Sequence, residues 1–347
     1  MDQFHSRYPM LLAPAFKDYL WGGDRLAANY GKNTEMRPIA ESWELSCHPD
    51  GLSAVASGAL KGMALADVLD KYPDWVKTGY KSRQFPILIK FIDAKQNLSL
   101  QVHPNDSYAR RHENSLGKNE AWYVIDCEPG AQMILGLNRE MPKDEIKARL
   151  NDGTILDCVK TVSVKPGDGF YIPAGLLHAV GGGILIAEVQ QSSNVTYRVY
   201  DYNRTGPDGK PRPLHIGNAA EVIDAGARAV NAAEDAPVER RGGYDVTDLI
   251  DWPFFRMDKM EINGEAALNC NEVFQALLII DGSLTLTFSH IADGTGRGGA
   301  SDADCPKETT LSVSKGDCVF IPAGLGKYAL RGKGAALLTE PRSFSGA

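Results

Sequence analysis

The chain has 347 residues, with 37 Lys and Arg against 44 Asp and Glu and a formal net charge of -7. No Lys/Arg run announces a basic face, which argues against nucleic acid as a general partner, and no apolar run approaches the roughly 20 residues that cross a bilayer. No signal-like leader is visible, and six cysteines (Cys47, Cys127, Cys158, Cys270, Cys305, Cys318) are scattered without a Cys-x-x-Cys pair, so a cytoplasmic protein with no membrane partner is expected.

In chain order, Leu65 to Val76 has the apolar spacing of a helix. Leu88-Ile-Lys-Phe-Ile92 then alternates like a strand, with Lys90 among apolar neighbours. Such a lysine ordinarily marks a solvated outer face. In Leu98-Ser-Leu-Gln-Val-His-Pro-Asn-Asp106, Ser99, Gln101 and His103 stand two apart, so an extended backbone turns all three to one side. Glu120 opens another strand-like run, Glu120-Ala-Trp-Tyr-Val-Ile125, and Lys118 shares its side if the strand begins that early. Lys143 to Leu150 and Ile216 to Val230 read as two more helices. The segment from Asn231 to Gly243 lacks any apolar period, which predicts a boundary and two domains, 1–235 and 236–347. Ser289 to Lys307, rich in Gly, Asp and Ser, reads as a mobile excursion of the second domain.

Two stretches repeat. Val164-Lys-Pro-Gly-Asp-Gly-Phe-Tyr-Ile-Pro-Ala-Gly-Leu-Leu-His178 and Val313-Ser-Lys-Gly-Asp-Cys-Val-Phe-Ile-Pro-Ala-Gly-Leu-Gly-Lys327 each run from a Gly-Asp turn through a short apolar strand to a Pro-Ala-Gly corner. The first copy resembles the second motif of the cupins, small antiparallel barrels whose motif-ending His is a metal ligand. The resemblance implies a mainly β chain of two cupin-like, jelly-roll-type antiparallel barrels with a few accessory helices. Gln101, His103, Glu120 and His178 then make an N2O2 set for a divalent ion. Two imidazoles and one carboxylate favour zinc, with iron or manganese as alternatives. The second copy ends in Lys327, whose ammonium has no lone pair, and aligning Val124-Ile-Asp126 with Ile279-Ile-Asp281 puts Gln275 where the first copy has Glu120. One metal per chain is expected, in the first domain.

Ser99-Leu-Gln-Val-His-Pro-Asn-Asp106, Gly117-Lys-Asn-Glu-Ala-Trp-Tyr123 and Thr196-Tyr-Arg-Val-Tyr-Asp-Tyr202, with Trp21-Gly-Gly23 and Ala40-Glu-Ser-Trp-Glu-Leu-Ser-Cys-His-Pro-Asp-Gly51 upstream, resemble the type I mannose-6-phosphate isomerases, in particular their short bacterial branch. The resemblance implies zinc on Gln101, His103, Glu120 and His178, and isomerisation of mannose 6-phosphate to fructose 6-phosphate through an enediol. It implies Lys90 and Ser99 as substrate-binding residues for the phosphate, and Lys118 and Arg198 as catalytic residues. A lysine suits proton transfer, whereas an arginine stays charged and suits a clamp. Longer relatives carry an acidic residue about four positions before the Arg and a second Lys two after the Glu; here those places hold Asn194 and Trp122.

Two rival classes share parts of this pattern. A cupin dioxygenase would place iron in a similar His and carboxylate set and consume oxygen, and a non-catalytic sugar-binding module would bind sugar without moving its carbonyl. The partner expected in either isomerase or binding module is a phosphorylated hexose, and the chain is expected to act as a monomer or small homo-oligomer.

Overall fold

A computed structural model describes residues 6–77, 85–206, 209–289 and 308–342. Among these the chain is mainly β, with antiparallel sheets that do not close into barrels and five short α-helices. It divides into two compact units, one of 16–43 and 87–235 and another of 1–15, 44–86 and 236–347. The cut near residue 235 falls where the apolar period fails. Residues 1–15 and 44–86 group with 236–347, Met10–Ala13 pairing with Cys318–Ile321 and with Ala54–Val55.

The unit containing residues 87–235 is built on two sheets. A seven-stranded sheet runs Val230–Asn231, Gly169–Ile172, Glu120–Cys127, Ile184–Gln191, Ile87–Ala94, Glu41–Leu45, Ala15–Lys17; a five-stranded sheet runs Tyr197–Tyr200, Leu100–Val102, His178–Val180, Gln132–Leu137, Val159–Ser163. Ile92, Trp122, Ile172 and Ile186 of the first pack with Met133, Leu135 and Val180 of the second in one core. The outer face of the five-stranded sheet is covered by helices Lys143–Asp152 and Ile216–Val222, through Ile146, Leu150, Ala219 and Ile223. The last helix stops eight residues short of the expected Val230, where the Asp224 amide turns back to the Gly175 carbonyl. The helix expected over 65–76 divides at Pro73, which cannot donate to the preceding turn and starts a 3-10 turn, Pro73–Trp75.

Ile87–Ala94 and Ile184–Gln191 are buried at every position, so each charge in them needs a partner. Asp93 accepts from Arg25 Nε at 2.7 Å and from its backbone N–H at 2.8 Å. Lys90 and Glu188, directly opposite in register, pair at 2.9 Å.

The repeat folds the same way in both units. Gly167 and Gly316 have φ of 96° and 97°, and Gly175 and Gly324 of 88° and 76°, a region that side chains disfavour, which is why both copies keep glycine at both corners. The first turn exchanges hydrogen bonds with Val124 and the second with Ile279, each at 2.8 Å. Glu120 lies opposite Ile172 and Gln275 opposite Ile321, so the two occupy equivalent places. The stretch expected to be an excursion, from Ser289 to Lys307, lies beyond Ser289 outside the described residues.

Candidate active site

Three adjacent strands of the five-stranded sheet bring Arg198, Gln101 and His178 side by side in register. Glu120 enters from the seven-stranded sheet, at the first position of its strand. His103 follows the end of Leu100–Val102 and is fixed there by its carbonyl, which accepts from the Gly175 amide at 2.9 Å. The five-stranded sheet and its exit thus face Glu120.

His103, Glu120 and His178 are fully buried, with one ligand atom from each lying within 4.8 Å of the others. His103 Nε2 is 3.3 Å from Glu120 Oε1, and His178 Nε2 is 3.7 Å from Oε2. Each imidazole donates Nδ1–H to a backbone carbonyl, His103 to Val195 at 2.9 Å and His178 to Leu176 at 2.8 Å. A carbonyl only accepts, so the proton sits on Nδ1 and both Nε2 lone pairs converge on the carboxylate. Burial, reinforced by the Lys118 charge, lowers the His103 pKa to about 3, and burial lowers that of His178. Both rings are neutral at physiological pH. Burial alone would raise the Glu120 pKa, but the Lys118 ammonium holds it well below the carboxylate range.

These residues fit a divalent ion. Glu120 Oε2 is buried with no hydrogen-bond partner, a costly state unless a cation completes it. The Lys118 ammonium already sits against this face, in contact with Glu120 Oε1 and 3.1 Å from His103 Nε2. Gln101 presents Nε2 to His178 Nε2 at 3.4 Å and Oε1 to Ser99 Oγ at 3.3 Å. Exchanging its amide O and N would direct the oxygen at the same point and leave the nitrogen to donate to Ser99.

Beside this group opens a cavity of about 230 Å³ that Lys90, Ser99, Gln101, Lys118, Glu188 and Arg198 all reach. Five of the eight residues selected from the sequence, Lys90, Ser99, Gln101, Lys118 and Arg198, therefore line this cavity, while His103, Glu120 and His178 form the group beside it. The charge of the cavity is mixed. The buried Lys90 Nζ lies 2.9 Å from Glu188 Oε1 and 3.4 Å from Glu41 Oε2, and those carboxylates accept from Trp122 Nε1 and Trp43 Nε1, both at 2.7 Å. Burial opposes the Lys90 charge, yet Glu188 and Glu41 raise its pKa. Arg198 donates to Ser99 Oγ at 3.3 Å, and Arg212, held by Asp201 at 2.6 and 2.7 Å, also lines the cavity.

Glu41 and Glu188 were not selected from the sequence. Glu188 had a usable signal, being the only charge in Ile184-Leu-Ile-Ala-Glu-Val189, and Glu41 lay in the Ala40 to Gly51 string without an assigned role. Asn194 and Trp122 line the cavity too, so its acidic groups come from other strands than the 194 position.

The equivalent place in the other unit is filled by its own side chains. Gln275 Nε2 donates to Glu340 at 2.6 Å and its Oε1 accepts from Tyr328 at 2.6 Å. We expect elemental analysis to return one metal per chain; two would contradict the assignment of this pair as a closed polar contact.

The family model of the phosphomannose isomerase type I catalytic domain matches residues 10–129. Mannose-6-phosphate isomerase ManA of Bacillus subtilis is 35% identical over 333 residues, 96% of this chain and 98% of its own. A mannose-6-phosphate isomerase of Streptococcus mutans is 35% identical over 279 residues, 80% of this chain and 87% of its own. The crystal structure of mannose 6-phosphate isomerase from Bacillus subtilis superposes with a TM-score of 0.84 at 33% identity, covering 96% of this chain and 99% of that one. With 35% identity over 96% of its length to the Bacillus subtilis enzyme and the same fold, the chain, with its buried His, Glu and His group, belongs to the type I mannose-6-phosphate isomerase family.

Proposed function

We propose that the protein interconverts mannose 6-phosphate and fructose 6-phosphate by moving a proton between C2 and C1 of the open sugar. The observation that carries this reading is the buried ligand group of His103, Glu120 and His178 beside a cavity that Lys118, Arg198 and Arg212 line. The ion is zinc, one per chain, held by Gln101, His103, Glu120 and His178; when bound it supplies a Lewis acid for the sugar's oxygens. Its family is metal-dependent. The compartment is the cytoplasm, and the assembly a monomer or small homo-oligomer.

The remaining steps fall to side chains. Lys118, at the border between ligand group and cavity, carries the proton, and Arg198 clamps the phosphate oxygens with its planar fork. Phosphate belongs at the arginine side, with Ser99 as hydroxyl donor. A dianion beside Glu41 and Glu188 would be repelled, because the single charge of Lys90 is shared between those two carboxylates, so Lys90 binds the sugar and not the phosphate.

Losing a charge-assisted contact to phosphate costs about 1.5 to 3 kcal/mol, or one to two powers of ten in kcat/KM. Ser99→Ala and Arg198→Ala should therefore weaken mannose 6-phosphate strongly and free mannose hardly at all. Lys90→Ala should harm both sugars alike and lower Tm, since removing one partner of a buried ion pair typically costs about 3 to 5 kcal/mol. Equal losses on both sugars for Arg198→Ala would move the phosphate elsewhere, and a loss for Lys90→Ala confined to mannose 6-phosphate would place it at Lys90.

A further inference from the structure

The motif strings His103-Pro-Asn-Asp106 and Gly117-Lys-Asn-Glu120 contain polar residues that bind neither metal nor sugar in the account above, and the structure joins them. Asn119, almost fully buried, donates both its backbone N–H and its Nδ2 to Gln191 Oε1, at 3.1 and 2.7 Å. Its Oδ1 accepts from Tyr171 OH at 3.0 Å and from the Ala174 amide at 2.9 Å, and its carbonyl accepts from the Gln191 amide at 3.1 Å. Gln191 Nε2 continues to Asp106 Oδ1 at 3.1 Å, which also takes the Gly117 amide at 2.7 Å. The orientation of the Asn119 amide is set on both ends, two donors facing its oxygen and an acceptor facing its nitrogen.

The network touches every segment that carries a ligand of the group and none of the ligand side chains. Asn119 precedes Glu120; Ala174 is four residues before His178; Asp106 is three after His103. Gln191 ends its strand four residues before Val195, whose carbonyl fixes the His103 tautomer. The approach of these segments leaves no slack at Gly117, where a Cβ would lie 2.4 Å from the Asp106 nitrogen and 2.5 Å from the Asn105 carbonyl carbon.

We infer that Asn119 is a positioning residue whose side-chain amide, locked between Gln191 and Tyr171, sets the spacing of Glu120, His178 and His103 and thereby governs how firmly the metal is held. This rests on the ligand group proposed above. Partners that orient metal ligands commonly alter metal affinity by about 10- to 100-fold when removed. A purely architectural residue would lower the melting temperature of metal-free and metal-loaded protein equally.

The test loads the full-length protein with zinc and follows release to a chromogenic chelator, with melting of both forms. Asn119→Ala is expected to release zinc about 10 to 100 times faster than the parent, and to shrink the difference in Tm between loaded and metal-free protein. Tyr171→Phe, which keeps the ring and removes one donor to Asn119 Oδ1, should accelerate release less and in the same sense; it decides the matter if Asn119→Ala does not fold. Release at the parent rate in the folded variant, with both melting curves lowered together, would overturn the inference. A parent protein that takes up no zinc would overturn the ligand group itself, and this inference with it.

Discussion

His178→Ala should lose the bound metal and turnover together. The imidazole supplies a neutral Nε2 that no neighbouring group replaces, since Gln101 faces the same point from the adjacent strand with a neutral amide, a weak ligand. The strand itself should survive, because His178–Val180 is held on both sides by backbone pairing to Leu100–Val102 and Gln132–Leu137. The expected result is metal content falling from about one per chain toward zero, with kcat/KM reduced at least about 1000-fold, equivalent to roughly 4 kcal/mol of transition-state stabilisation. Far-ultraviolet circular dichroism should be unchanged. A folded variant that keeps its metal, or keeps a tenth of the parent activity after chelation, would contradict the role of His178.

Lys118→Arg should nearly abolish proton transfer while leaving metal in place. The substitution keeps a positive charge but replaces a group able to give up its proton with one that stays protonated. Positioned general acid–base groups contribute about 100- to 10,000-fold, so a loss of that size is expected in exchange of the C2 hydrogen with solvent deuterium. Exchange reports abstraction even when product is not released. Glu188→Gln is the informative companion. Its carboxyl has a pKa raised by burial and by Glu120, and it stands in the same cavity with Trp122 Nε1 on one oxygen and Lys90 on the other. If Lys118→Arg exchanges label at the parent rate and Glu188→Gln does not, the proton is carried by Glu188 and Lys118 serves as an electrostatic partner of Glu120.

What could be read from the sequence was local. Ser99, Gln101 and His103 stand two apart, and the structure keeps Gln101 in the strand with Ser99 and His103 just beyond its two ends, while the Gly-Asp to Pro-Ala-Gly repeat carries its own turn geometry and folds alike in both units. The Val124 to Ile279 alignment identified Gln275 as the counterpart of Glu120 because the same turn grips the same strand position in both units. What escaped depends on pairing between distant residues. Lys90 meets Glu188 only through the register of two central strands, and Glu41 only because a third strand lies beyond them. A lysine read from its own strand as outward-facing is thus an inward charge shared by two carboxylates. The placement of 1–15 and 44–86 with the C-terminal unit was hidden for the same reason, since Met10 pairs with Phe320.

The most direct measurement is proton NMR of mannose 6-phosphate incubated in deuterium oxide with the zinc-loaded protein. Fructose 6-phosphate should accumulate to equilibrium, with deuterium entering the carbon positions between which the proton moves, and both changes should be lost after chelation. Mannose 6-phosphate that binds but stays unchanged, with no deuterium at C2, would contradict the isomerisation.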